Sequence, residues 1–424
     1  MTGETNRPRI LVIGTGDTKS EELEFMAASI RAAGGEALQM DVSILGDPPY
    51  RPHYSKHDVL AAGGHTLEQA TEGGDEMSAM TMMAGGAAIL ARRLHDAGEI
   101  DGMLALGGSM GTDLALDVAL ALPLGVPKFV VSTISYSHLL PPDRIATDLM
   151  MILWAGGLYG LNSVCRAVLS QASGAVVGAA RTAVRPSRSR PVVGMSSLGK
   201  SCLKYMTWLK PELDRRGYEL VVFHTTGMGG RALEAVAAQR GFDVVMDFSL
   251  QELANLENGS VVNSGPDRLE NAGRAGIPQI VAPGAIDMID VCAWQLLPAH
   301  LADRAYHGHN RLIGSIIATP VERRQIARRI GEKLSSAKGP VAFILPEGGI
   351  QEWDQPGQPF HDPQALSGFV EAMRAAIRPP VELIATSHHI NSPGFAEVAL
   401  SVLDRWAAEG KIPAGVTAKA GEAA

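Results

Sequence analysis

Ile10-Leu11-Val12-Ile13-Gly14-Thr15-Gly16-Asp17-Thr18-Lys19 is a short apolar run that breaks into a glycine turn, with a helical segment at 21–33 beyond it. The same order returns at Met103-Leu104-Ala105-Leu106-Gly107-Gly108-Ser109-Met110-Gly111-Thr112. A parallel strand buried on both faces reads as such an unbroken apolar run. The turn at its carboxyl end presents unpaired N–H groups and the positive end of a helix dipole, and glycine lets a phosphate approach that backbone. Two such turns on one sheet predict a crevice that grips one ligand from both sides.

Working outward, apolar strands at 10–13, 37–40, 103–106 and 129–131 alternate with helices such as 21–33 and 112–122. That alternation means a parallel sheet covered by helices. Residues 182–191 hold two prolines and three arginines with little to bury, and read as a linker. The pattern then restarts, with strands at 191–195, 219–223, 244–246, 279–281, 341–345 and 381–384 and helices at 203–215, 231–240, 321–335 and 363–376. The expected fold is α/β: two Rossmann-like doubly wound parallel-sheet domains facing a cleft. We place a nucleotide domain at 1–181, the linker at 182–191, a second domain carrying the substrate at 192–407 and a flexible tail at 408–424. The apolar stretch 150–161 reads as a buried helix or an interface.

At 424 residues the chain exceeds one ordinary core, and 46% hydrophobic against 19% charged residues allows two large ones. A net charge of -8 offers no basic field, which argues against nucleic acid as a general partner. No apolar run reaches about 18 residues, and the polar start resembles no targeting signal, so a cytoplasmic protein without membrane contact is expected. Cys165, Cys202 and Cys292 lack paired spacing and read as buried reduced thiols.

In the first turn, Thr18 and Glu21 have the spacing of a capping box. Asp17 and Lys19 are charges placed where a magnesium-bound phosphate needs a carboxylate and an ammonium. Gly107, Gly108, Ser109, Gly111 and Thr112 form the second cradle. Ser132 and Thr133, ending the next strand, reach the same rim if the sheet is doubly wound; ordinary turn residues are an equal reading.

The second half is rich in histidine. His224 ends a strand and opens a third glycine turn, Thr225 to Arg231; Asp287, Glu347 and His389 also fall at or just after predicted strand ends. Such positions suit acid/base groups, and these four are expected to converge on one pocket facing the cleft. His307 and His309 alternate along an extended segment and are the candidate metal ligands. Gly194-Met195-Ser196-Ser197-Leu198-Gly199-Lys200-Ser201 matches the P-loop pattern, with Asp247 as its acidic partner, and is a candidate second nucleotide site.

These blocks resemble the two-domain family typified by the ATP-binding N-terminal region of the tomato mosaic virus resistance protein. The resemblance is carried by Gly14-Thr15, Asp17-Thr18-Lys19, Gly107-Gly108-Ser109, Gly111-Thr112, Pro127-Lys128, Ser132-Thr133 and Asn162. In the second half it rests on Phe223-His224, Gly229-Gly230-Arg231, Asp287-Met288, His307, His309-Asn310, Pro346-Glu347 and His389-Ile390-Asn391. It implies ATP, with Mg2+, held by Gly14, Thr15 and the other first-domain turn residues, and a homodimer. Plant members carry a further barrel domain, so a separate barrel-fold enzyme is an expected partner. The family does not generally share the P-loop pattern. The resulting reading is an ATP-binding enzyme of small-molecule metabolism. The alternatives are a metal-dependent lyase or hydrolase with regulatory nucleotide, and a nucleotide-gated interaction module.

Overall fold

The computed structural model describes residues 7–72, 75–184 and 188–416. Its contacts divide the chain into Met1–Ser187 and Arg188–Ala424. The first unit runs β1 (Arg9–Gly14), α1 (Ser20–Ala32), β2 (Glu36–Asp41), α2 (Lys56–Ala62), α3 (Leu67–Glu72), α4 (Glu76–Asp96), β3 (Gly102–Gly107), α5 (Ser109–Ala121), β4 (Lys128–Ser132), β5 (Leu149–Leu153) and α6 (Ser163–Thr182). All five strands are parallel, in the order β2-β1-β3-β4-β5.

Each central strand buries alternate residues on opposite faces. Ile10 and Val12 pack with α1 and α6 through Met26, Ile30, Leu169 and Val176, while Leu11 and Ile13 pack with α4 and α5 through Met83, Leu90 and Leu114. Fully burying each such side chain is worth about 1.5–3 kcal/mol, so both faces of the sheet must be covered by helices. The stretch read as a buried helix or interface begins instead with edge strand β5, which is only partly buried. Its apolar composition satisfied either reading, and pairing with β4 decides it.

The second unit runs β6 (Val192–Ser197), α7 (Lys204–Arg215), β7 (Glu219–His224), α8 (Met228–Ala238), β8 (Val244–Asp247), α9 (Gln251–Glu257), α10 (Asn271–Arg274), β9 (Gln279–Val281), β10 (Met288–Cys292), β11 (Tyr306–Gly308), β12 (Ile313–Ile317), α11 (Pro320–Ser335), β13 (Val341–Pro346), α12 (Pro363–Ala376), β14 (Glu382–Thr386) and α13 (Pro393–Ala408). Six parallel strands in the order β14-β13-β9-β8-β6-β7 form its main sheet. A separate antiparallel sheet, β10-β12-β11, is inserted between β9 and α11. Both units are Rossmann-like.

Helix starts follow local chemistry. Thr319 and Glu322 form a capping box at α11, Ser392 caps α13, and proline stands at the first position of each. The expected linker is described only in part, since Arg185 to Ser187 lie outside the described residues; beyond them Arg190 pairs with Asp214. The tail expected to be flexible from 408 is pinned as far as Val416. Ile412 is buried, Tyr218 Oη donates to Pro413 O at 2.8 Å, and Val416 N–H donates to Gly217 O at 2.9 Å. Residues 417–424 lie outside the described residues. Among the described residues no helix is long and apolar enough to cross a membrane.

Candidate functional site

In the first unit the strand order reverses between β1 and β3, which opens a crevice beyond their carboxyl ends. Both glycine turns line one cavity of about 500 Å³ there, through Thr15, Asp17, Thr18, Lys19, Gly107, Gly108, Ser109 and Gly111. The facing wall comes from the chain after β2 (Val42, Ile44, Leu45) and from α3 and α4 (Ala70, Asp75, Glu76, Ala79, Met80). That wall was missed in the sequence, where only an acidic pair ahead of an apolar helix marks it.

The two glycines of the second turn differ. A Cβ on Gly107 would stand 2.5 Å from Gly111 Cα, so the turn closes only with glycine. On Gly108 it would meet nothing nearer than Thr133 Oγ1 at 3.8 Å, so this position keeps the space beside it open. Gly108 is the N-cap of α5 and supplies no side-chain cap; the first intrahelical bond runs from Thr112 N–H to Gly108 O. The N–H groups of Ser109, Met110 and Gly111 precede it. Within the first unit, Ser55, Thr66, Asp75 and Asn162 cap α2, α3, α4 and α6 with their side chains. Among the described α-helices of this unit, only α1 and α5 lack a side-chain cap.

Several side chains have other work. Asp17 lines the cavity, and its carboxylate accepts from Ser43 Oγ at 3.0 Å and Gly46 N–H at 3.1 Å, pinning the chain after β2. Thr18 and Glu21 form no capping box. Lys19 is the N-cap of α1, Thr18 Oγ1 pairs with Thr15 Oγ1, and Glu21 and Glu22 accept from Leu161 and Gly160 N–H. Lys19 Nζ donates to Leu158 O at 2.7 Å and lies 5.3 Å from the Tyr159 ring centroid. Ser132 and Thr112 are buried and bond each other at 2.7 Å, tying β4 to α5, so Ser132 is not on the open rim. Thr133 is half-buried, with Oγ1 beside Gly108. Gly14 makes room for Leu23.

In the second unit the corresponding reversal, between β6 and β8, is closed by protein. Arg268 is fully buried and donates to Asp247, Glu252 and Glu234. Glu252 Oε1 accepts from Gly227 N–H at 2.7 Å and Gly230 N–H at 3.1 Å, so a carboxylate of the chain itself fills the third glycine turn. Burial pushes the Glu234 carboxyl up to about 7.

The P-loop match is not a P-loop. Gly194 to Ser197 lie inside β6, where a Cβ on Gly194 would strike Phe242, and α7 starts only at Lys204. Lys200 is exposed, and Asp247, the expected acidic partner, is held by Arg268 and Ser196.

The four second-unit candidates do not share one pocket. Asp287 and His389 belong to one buried network: Gln351 Nε2 donates to Asp287 Oδ2 at 3.3 Å, and His389 Nε2 donates to Gln351 O and to Asp354 Oδ1 at 3.0 Å. His389 Nδ1 accepts from Asn391 N–H at 3.0 Å, so both ring nitrogens are occupied. Burial raises the Asp287 carboxyl, and its Oδ1 has no hydrogen-bond partner. Glu347 turns instead to Arg374 on α12, whose Nε stands at 3.1 Å. His224 is exposed at the end of β7; burial of its inner edge and the nearby His309 lower its pKa.

His307 and His309 have different surroundings. The His307 ring packs 4.8 Å from that of Trp353, whereas His309 lies toward His224 and Asp290. Among the described residues no group of three His, Cys, Asp or Glu is placed to hold a metal ion. Cys165 and Cys202 are buried free thiols, and Cys292 is half-buried.

Residues 8–185 match the N-terminal domain, and residues 190–407 the C-terminal domain, of Uncharacterised protein family (UPF0261). The chain belongs to the UPF0261 family. Its relatives include a UPF0261 protein of Brucella melitensis, 62% identical over 98% of this chain and 99% of the relative. Another is a UPF0261 protein of Clostridium tetani, 32% identical over 92% of this chain and 96% of the relative. The ToMV resistance protein Tm-1(GCR237) of Solanum lycopersicum is 28% identical over 93% of this chain, which matches 55% of the tomato protein. The two UPF0261 domains thus meet between 185 and 190, where the contacts also divide the chain.

Proposed function

We propose that this UPF0261 protein binds a nucleoside triphosphate, ATP, in the first-unit cavity, with its phosphates against the start of α5. One observation carries the reading: α5 begins without a side-chain cap, at a glycine that leaves space beside it, on a cavity at the β1/β3 reversal. The volume of about 500 Å³ falls in the usual range for small-molecule sites. Val42, Ile44, Leu45 and Met80 supply apolar surface for a base. In the second unit the equivalent turn holds Glu252, so that unit offers an anion no such cradle. His224 keeps an exposed ring at a strand end and is the remaining acid/base candidate there.

The test is thermal unfolding of the whole chain with and without ATP and magnesium. A ligand bound only by the folded state adds about 2.7 kcal/mol at a hundredfold excess over Kd. Gly108→Val puts a side chain into the open space and is expected to abolish the shift. Persistence of the full shift in that variant would remove the phosphate from α5.

A further inference from the structure

The antiparallel sheet inserted between β9 and α11 has two unlike faces. Side chains directly opposite one another in a sheet share a face, as do residues two apart along a strand. Ile289, Val291 and Ile316 fill one face, packed with Leu301 and Ala318. The other face holds Asp290, Ser315 and His307 in one row. One row further on it holds Cys292 and Ile313, and there His309 N–H donates to Ile313 O at 3.2 Å. This polar face meets α9, whose Gln251 and Asn255 both bond to Asp290. Because α9 starts just beyond the carboxyl end of β8, the face stands where open α/β sheets bind ligands.

The buried part of the face is incompletely satisfied. Asp290 accepts from Ser315 Oγ at 2.6 Å and from Gln251 Nε2, while Gln251 Oε1, also buried, has no hydrogen-bond partner. At the outer end, the exposed His309 ring makes no hydrogen bond or ion pair among the described residues, and it lies toward both Asp290 and His224. His224 is committed differently. Its Nδ1 accepts from Gly199 N–H at 3.4 Å, which places the ring proton on Nε2 as a donor. Burial and the nearby His309 lower its pKa, so the ring stays neutral. One imidazole is thus set to donate, and the other, with a buried carboxylate on its side, is free to take a proton. Groups set to opposite tasks are what acid–base catalysis needs, and a neutral imidazole donor suits charge developing on a carbonyl oxygen. Lys200, next to Gly199, is exposed and unpaired among the described residues, and supplies a charge for a carboxylate on the same ligand.

We infer that His224 and His309 form an acid–base site at the carboxyl end of the second sheet, acting on a small carboxylate that carries a carbonyl group. His309 takes a proton from the carbon beside the carbonyl. The C–H electron pair passes into an enolate, whose oxygen charge is held by His224 Nε2–H. His309 then returns a proton to carbon. Asp290 is a positioning residue, acting through His309. The inference deepens the reading of His224 given above and needs no nucleotide.

Deuterium exchange into C3 of 2-oxobutyrate, followed by proton NMR with the full chain in D2O, tests it. The wild type is expected to exchange these protons with saturation kinetics. His224→Gln and His309→Gln should each lower kcat by about a hundredfold or more. Both rings are exposed, so the unfolding midpoints of these variants should match wild type. Lys200→Ala should raise KM and leave kcat within about threefold. Asp290→Asn should lower kcat by roughly tenfold at unchanged KM. A flip of Gln251 lets its unpartnered Oε1 accept from the new amide, so that variant should unfold no earlier than wild type. Exchange by the wild type no faster than in a protein-free blank overturns the inference. So does exchange that survives in both histidine variants. Either result leaves ATP stabilisation of the first unit untouched, and loss of that stabilisation leaves this site standing.

Discussion

Gly107 and Gly108 are adjacent, and substitution separates what each does. Gly107→Ala forces backbone apart at Gly111 and should cost about 1–3 kcal/mol in urea unfolding. Gly108→Val meets no such obstacle, and its φ of -74° suits any residue, so stability should stay within about 0.5 kcal/mol while ATP stabilisation is lost. Lys200→Ala should leave ATP affinity unchanged, as checked by the same titration, because Lys200 lies on an exposed turn before α7 rather than at a helix start. A severe loss there would return the P-loop match to consideration. At this scale the sequence is readable for glycine and poor for charge. Asp17 sits where a phosphate contact would be, yet its partners Ser43 and Gly46 lie on another turn. Glu252 fills the third glycine turn from 25 residues away. No local spacing announces either contact, because each depends on which strands become neighbours.

Among the elements, the parallel strands were legible because burial on both faces leaves continuous apolar runs such as Leu11 to Ile13 and Val341 to Leu345. The sheet β10-β12-β11 was not. Its members are three to five residues long, and Asp290, Ser315 and His307 stand in register on one face of it, where polar side chains mask the strand pattern. The tail misled for a related reason, since its small polar residues conceal one anchor, Ile412. Deleting residues 411–424 removes that burial, worth about 1.5–3 kcal/mol, and the hydrogen bonds of Pro413 and Val416, worth about 1 kcal/mol each. Urea unfolding should show a loss of about 3.5–5 kcal/mol. An unchanged midpoint would mean that the tail does not dock in solution.

At the scale of the whole molecule, one buried guanidinium in the second unit, that of Arg268, serves three buried carboxylates. Removing Arg268 leaves buried charge uncompensated, so Arg268→Met should destabilise by about 3–5 kcal/mol. The same imbalance sets a pH dependence. Burial raises Glu234 from 4.5 to about 7, and raises Asp290 from 3.8 to about 6. A carboxyl whose folded pKa is raised binds more protons folded than unfolded, so its contribution is complete below the unfolded value and fades as pH climbs through the folded one. Stability should therefore fall between pH 5 and pH 8, with Glu234 contributing about 2–3 kcal/mol to the change and Asp290 about 1–2 kcal/mol, the rest of its effect lying below pH 5. Carboxylates with lowered values, such as Glu212 at about 2, act in the opposite sense but only in more acid solution, and so do not mask the window. Urea unfolding at pH 5, 6, 7 and 8 measures the slope, and Glu234→Gln, which cannot titrate, should remove roughly two thirds of it. A wild type whose stability rises across this interval would show that the three carboxylates share Arg268 while fully ionised, and that Glu234 is not the group that holds the proton.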